Sequence, residues 1–393
     1  MMSKTTIHLR FTCLALPALL LAPAVWVARA GEPAPQPTPK LEGKAAAVEA
    51  TRKAFAWLIQ QANEDGTFGQ SRARAMPGVV GLTLYALATS PGKPNPEQVP
   101  ALAKAAAYLV SQQMPEGAIA IKELGNFNYN TSVAVMALKA LNDPKYGEVL
   151  EKAKAYILGT QLDQSKGYDP GEHERSFGAF SYGSSKKADL SNTAFSLDAL
   201  KALGVKEDSP AFKNAMIFIR RCQDNPETND AKEMKNGDGT GGFVYAPGDS
   251  EFGKTKSRSG LEVPTPYGNM TYAGVKALIY CGIKPESPEL SAAWRWIKNN
   301  YTVKSNPGGR GTQGYFYYVV SFAKAFTASG TKELTLPSGQ KVDWAKDLSA
   351  HLTTLQKPDG SFTNDDERWM ENDPILATAY ALHALNLCVE AMK

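Results

Sequence analysis

Gln356-Lys357-Pro358-Asp359-Gly360-Ser361-Phe362 ends one kind of helix and prepares another. Upstream, residues 343–356 carry large apolar side chains at helical spacing with polar residues between them, the pattern of a helix with one wet face. Downstream, residues 374–389 are small or apolar on nearly every side, and a helix apolar all round is a buried one. A glycine after a helix end accepts a left-handed backbone cheaply and reverses the chain, and the following aromatic can pack under the turn.

The same unit recurs. Gln60-Gln61-Ala62-Asn63-Glu64-Asp65-Gly66-Thr67-Phe68 repeats it near the start, and weaker copies stand at 112–119, 161–168 and 236–243, the last with Gly241-Gly242-Phe243. Wet-faced helices are expected at 46–62, 99–113, 147–161, 210–223, 288–301 and 343–356. Each is followed by a more apolar one, at 78–88, 131–141, 192–203, 270–281, 314–328 and 374–389. Such repeats are stacked units that cannot bury their own apolar faces. The expected fold is therefore all-α: an α/α toroid of six inner helices inside six outer ones. Gly66, Gly242 and Gly360 are expected at outer-to-inner turns with positive φ.

Residues 1–30 read as a secretory signal peptide: Lys4 and Arg10, an apolar run from Phe11 to Val27 broken by Pro17 and Pro23, then Ala28-Arg29-Ala30. Residues 31–44, with Pro33, Pro35, Pro37 and Pro39, read as a stiff linker, and 45–393 as a single toroid domain. The protein is thus expected to be exported, to the periplasm or beyond. Removing 1–30 turns a balance of 43 basic to 39 acidic residues into 40 to 39, which gives no electrostatic case for nucleic acid. Cys222, Cys281 and Cys388 sit among apolar helical residues, where a buried free thiol is the default. The largest insertion, 224–266, is expected to form a loop or small hairpin at one end of the barrel.

The Gln…Gly-x-Phe turn linking outer to inner helices resembles the repeat of squalene/hopene-type terpenoid cyclases and of protein prenyltransferase β subunits. Both are α/α toroids, and the resemblance spans about residues 45–390. Gly242-Phe243-Val244-Tyr245 and Tyr267-Gly268-Asn269-Met270-Thr271-Tyr272-Ala273-Gly274 are most similar to exported bacterial prenyltransferase/squalene-oxidase repeat proteins.

The chemistry the resemblance implies is only partly matched. Its cyclases protonate an alkene with the middle acid of an Asp-x-Asp-Asp motif. The matching stretch reads Asp189-Leu190-Ser191-Asn192, so Ser191 stands where that acid belongs. The plain reading of Asp189 is a helix N-cap. Prenyltransferases hold zinc with Asp, Cys and His, and zinc needs three convergent protein ligands. With only His173, His351 and His383 beyond residue 30, and none at the matching inner-helix start, neither zinc nor another cofactor is expected.

Two clusters remain. Tyr129, Tyr267, Tyr272, Tyr315, Tyr317 and Tyr318, with Asn192, lie near inner-helix starts. They line the wide end of a central cavity if the ring leaves one, and fill the core if it does not. Asp365-Asp366-Glu367 lies before the last inner helix; such a run is usually a solvated rim, and with Asp189 it supplies the weak catalytic candidates. The resulting expectation is a binding or scaffold toroid for an isoprenoid or other apolar ligand, with membrane association at most peripheral. An active cyclase using another acid and a carbohydrate-active toroid are the alternatives.

Overall fold

The computed structural model describes residues 41–393 except 93, 96, 98, 172–174 and 393. The expected signal peptide, the expected linker up to residue 40 and His173 lie outside the described residues.

Twelve helices follow the expected order: α1 Gly43–Gln60, α2 Pro77–Ala88, α3 Pro100–Ser111, α4 Phe127–Ala140, α5 Gly147–Gly159 and α6 Leu190–Ala202. Then come α7 Pro210–Arg221, α8 Gly268–Tyr280, α9 Pro288–Asn299, α10 Tyr315–Ser329, α11 Trp344–Leu355 and α12 Pro374–Ala391. The even-numbered helices pack in sequence order, and α12 closes on α2. Each odd-numbered helix lies outside them; α3 packs on α2 and α4, α5 on α4 and α6, and α1 on α12 and α11. The division follows composition: α2 buries 11 of its 12 residues and α1 five of its 18. Helix α1 begins at Gly43, inside the stretch expected to be linker.

Glutamine locks four of the six repeats to the next. The Gln223 side-chain amide donates to Gly241 O of its own turn at 3.0 Å and to Glu289 O of α9 at 2.8 Å. Gln113 and Gln161 bridge in the same way. Gln356 donates to Gly360 O at 3.0 Å and to Ala50 O at 2.8 Å, so the last repeat is fastened to α1 and the ring closes. The residue two past the turn glycine is held from the other side: Phe180, Phe243 and Phe362 donate their N–H to Thr193, Thr271 and Thr378 of the inner helix. In the first repeat Ala62, not Gln60 or Gln61, pairs with Phe68, so that glutamine lock is absent.

Gly66 and Gly360 have the expected positive φ, 83° and 98°. In the fourth repeat the left-handed residue is Gly241 (φ 86°), not Gly242. A Cβ on Gly241 would lie 2.1 Å from Ala292 O, so the position needs glycine for space as well as conformation. In the third repeat the turn is Gly178-Ala179-Phe180 and not the 161–168 copy, because an excursion separates Gln161 from its partner Phe180. The 224–266 insertion carries a hairpin, β1 Lys254–Lys256 with β2 Glu262–Pro264. A second hairpin, β3 Glu333–Thr335 with β4 Lys341–Asp343, joins α10 to α11 and had no sequence expectation.

Toward the C-terminal ends of the inner helices the barrel is closed by a polar layer. Lys276 Nζ and Lys324 Nζ both donate to Asp198 Oδ2, at 2.5 and 2.7 Å. The Tyr85 and His383 rings pack beside them, tilted, with centroids 4.8 Å apart. Convergent helix C-termini carry negative partial charge and favour such cations. Burial nevertheless pushes the Lys276 ammonium down to about 8, and pushes the His383 imidazole down to about 3.

Candidate functional site

At the opposite pole, the first turns of all six inner helices surround a cavity of about 260 Å³. Its floor is aromatic. Tyr129 of α4 meets Phe195 of α6 edge-on at 4.9 Å, and Phe195 stacks on Tyr317 of α10 at 5.8 Å. Tyr380 of α12 completes the set, its hydroxyl 3.4 Å from that of Tyr129. Burial pushes the Tyr129 phenol up to about 12, so it stays neutral. Apolar wall comes from Val79, Met270 and Leu376, and the mouth from Met76, Tyr182, Tyr245, Tyr267, Trp369 and Met370.

Among the described residues the only charged side chains on this lining are Glu251 and Glu371; no described Lys, Arg or His is part of it. Glu371 Oε1 accepts the N–H of Tyr317 at 2.9 Å and Oε2 accepts the Asn364 side-chain amide at 2.8 Å. Glu371 thus supplies from another segment the cap that α10 lacks in its own sequence. Desolvation raises its carboxyl to about 7 even against these hydrogen bonds. Glu251 is paired with Arg368 at the rim.

Asp189 is fully buried and caps α6, with no place on the cavity surface. Burial raises its carboxyl above the usual range, opposed by hydrogen bonds from Asn192, Tyr245 and Tyr182. The Tyr182 and Tyr245 hydroxyls lie 2.6 Å apart, so the acid reaches the cavity only indirectly, through these tyrosines and Asn192. Ser191 does reach the wall, its Oγ 2.9 Å from the Tyr317 hydroxyl.

Of the residues expected at the mouth, Tyr129, Asn192, Tyr267 and Tyr317 line the cavity, while Tyr272, Tyr315 and Tyr318 do not. Tyr272 is packed among Tyr318, Phe322 and Phe326 between α8 and α10. The Tyr315 and Tyr318 hydroxyls donate to Val303 O and Thr302 O. Successive residues point about 100° apart around a helix, so Tyr317 faces the cavity while Tyr315 and Tyr318, which share another face, do not. Asp365 is exposed, and Asp366 is half-buried and accepts the N–H of Arg368 at 2.8 Å. Neither lines the cavity; the 364–371 loop closes at its neck through Asn364 N–H to Glu371 O and turns Trp369 and Met370, not its acids, to the cavity. Among the described residues no three His, Cys, Asp or Glu side chains converge as a metal site. Cys222, Cys281 and Cys388 are free thiols.

Sequence reasoning missed Glu371, Phe195, Trp369 and Tyr380. For Tyr380 the helical register with Leu376 was a usable signal; for Glu371, which acts across to another helix, there was none.

Residues 74–246 match the squalene-hopene cyclase C-terminal domain family. Among solved structures, the type II terpene cyclase MstE from Scytonema shares the fold. A variant bound to its substrate geranylgeranyl dihydroxybenzoate gives 14% identity and a TM-score of 0.55, covering 88% of this chain and 99% of that one. Residues 74–246 thus resemble the squalene-hopene cyclase C-terminal domain in sequence, and the ring has the fold of the type II terpene cyclase. The apo MstE structure is equally similar, at 14% identity and TM-score 0.54 over 88% and 99% of the chains. So in fold is the GH76A α-1,6-mannanase of Salegentibacter, at 12% identity and TM-score 0.54 over the same shares. At these identities the structural likeness is one of fold. A search of curated proteins gives no match.

Proposed function

We propose that this is an exported small-molecule-binding toroid whose mouth cavity takes an uncharged, largely apolar ligand of the isoprenoid-alcohol kind. It does so without the alkene protonation of cyclases. The observation that carries this reading is the lining: aromatic, thioether and aliphatic side chains with four asparagines and Ser191, two carboxylates and, among the described residues, no cationic side chain. A diphosphate or carboxylate head inside the cavity would meet like charge, and the rim cation Arg368 is already paired with Glu251. A hydroxyl can bond to the Tyr182–Tyr245 pair while its chain lies on the aromatic floor.

Two further points support binding over cyclisation. Ser191 stands where the resembling cyclases carry their acid, and a hydroxyl is a far weaker proton donor than a carboxyl. The cavity, at about 260 Å³, is just below the ~300–1,000 Å³ of common small-molecule sites, which favours ligands shorter than squalene. The carbohydrate alternative takes its support from Glu371, whose carboxyl near 7 suits a general acid, and from the fold shared with the mannanase.

Native mass spectrometry of the protein purified from its periplasmic or secreted fraction tests the proposal. The expected species begins at Gly31 and carries a neutral lipid adduct. A chain retaining residues 1–30 in membranes, or an adduct of hexose mass, overturns it.

A further inference from the structure

Four non-glycine residues among those described have positive φ: Asn126, Asn142, Trp369 and Met370. Asparagine tolerates that region because its short side chain bonds locally. Trp369 (φ 60°) and Met370 (φ 61°) are bulky and consecutive, and bulky residues there are genuine outliers. Both line the cavity, and both are partly open to solvent, at 41% and 36%. Strain of this kind persists only where the surroundings over-determine it, and it gathers at ligand clamps and switches.

The surroundings divide into a firm root and a loose tip. At the root, Asn364 N–H bonds to Glu371 O at 3.1 Å, and the buried Glu371 side chain grips the start of α10. At the tip, the Arg368 guanidinium pairs with Glu251 and lies 4.3 Å over the Trp369 ring. The Trp369 ring meets Phe252 edge-on at 6.0 Å. The Arg368–Glu251 pair is part-exposed, and such pairs contribute little net free energy, so the tip can let go without disturbing the root.

The geometry points to residues 365–370 as a strained clamp, with Trp369 and Met370 as the roof over a bound ligand and Arg368–Glu251 as the latch. This rests on the reading that the cavity holds a small apolar ligand. Trp369 offers a flat apolar face, and Met370 an adaptable one that fits chains of different shape. Entry requires the latch to open and the tip to swing outward from its root. Release is therefore governed by the clamp and not by the floor.

Stopped-flow release of farnesol from the mature protein, combined with thermal unfolding, tests this. Arg368→Ala should release farnesol at least about tenfold faster while Tm moves by no more than about 2 °C. Met370→Gly should also release faster, with Tm unchanged or raised, because glycine adopts the left-handed backbone without strain. Unchanged release in Arg368→Ala, or a Tm fall of several degrees in Met370→Gly, overturns the clamp. If wild type takes up no farnesol, the binding reading fails instead, and the Met370→Gly melting result alone decides whether the turn is strained.

Discussion

Asn192 occupies both oxygens of the Asp189 carboxylate: its backbone N–H donates to Oδ1 at 2.8 Å and its side-chain amide to Oδ2 at 2.9 Å. The acid that resembles the first position of the cyclase motif is thereby spent on starting α6. Asp189→Ala removes the cap and strands a buried amide, and should cost about 1–3 kcal/mol. Asp189→Asn, which can still accept at one oxygen, should cost less than half of that. Urea denaturation of the two variants checks the order.

The same geometry predicts no chemistry on linear isoprenoids. Purified protein incubated with squalene should return it unchanged by gas chromatography. Product that disappears in Asp189→Asn but persists when Asp365 and Asp366 are lost would make Asp189 the acid, acting through Tyr245 and Tyr182.

Ring closure rests on the Gln356 amide and on Gly360. Gln356→Ala leaves the carbonyls of Ala50 and Gly360 without this donor and should cost about 1–3 kcal/mol. Gly360→Ala should cost more, since its φ is 98° and a Cβ there would stand 2.6 Å from Lys53 O. Equal losses in denaturant would show that the turn has room to relax.

Glu371 gives a pH dependence of definite sign. Its carboxyl is raised from 4.5 to about 7 by burial, so the folded state holds its proton more tightly than the unfolded chain does. The stability this contributes is complete below pH 4.5 and is lost as pH rises through 7, on the order of 3 kcal/mol in all. His383, pushed down to about 3, acts oppositely: its contribution is present above 6.5 and lost as pH falls toward 3. The difference between wild type and Glu371→Gln isolates the first effect. Denaturation at pH 5 and pH 8 should show the variant gaining on wild type at the higher value.

How far the sequence could be read follows from the range of each interaction. The twelve helices and their sorting into inner and outer rings depend on apolar periodicity and Gly-aromatic turns, which are local signals, and both were legible. The choice of Gly241 over Gly242 was not, because it depends on a carbonyl of α9 in the next repeat. For the site, Tyr129, Tyr267 and Tyr317 could be named as aromatics near helix starts. Their separation from Tyr272, Tyr315 and Tyr318 needed the rotation of each helix about its own axis. Glu371 caps a helix some 54 residues earlier in the chain, and nothing in its neighbours announces that.

The polar layer at the far pole makes a separate prediction. Asp198→Ala leaves the Lys276 and Lys324 ammoniums buried and without their common partner, and should cost about 3–5 kcal/mol. Replacing all three by leucine or methionine should recover most of it, because apolar groups of similar volume avoid the desolvation altogether. Melting curves of the single and triple variants distinguish the two.

Isothermal titration of the mature protein with farnesol, farnesyl diphosphate and α-1,6-mannotriose tests the central claim most directly. The cavity described here, aromatic and without a cationic side chain, predicts that farnesol binds and that the diphosphate binds at least about tenfold more weakly, with no heat from the sugar. Tighter binding of the diphosphate, or binding of mannotriose in preference to farnesol, would contradict it.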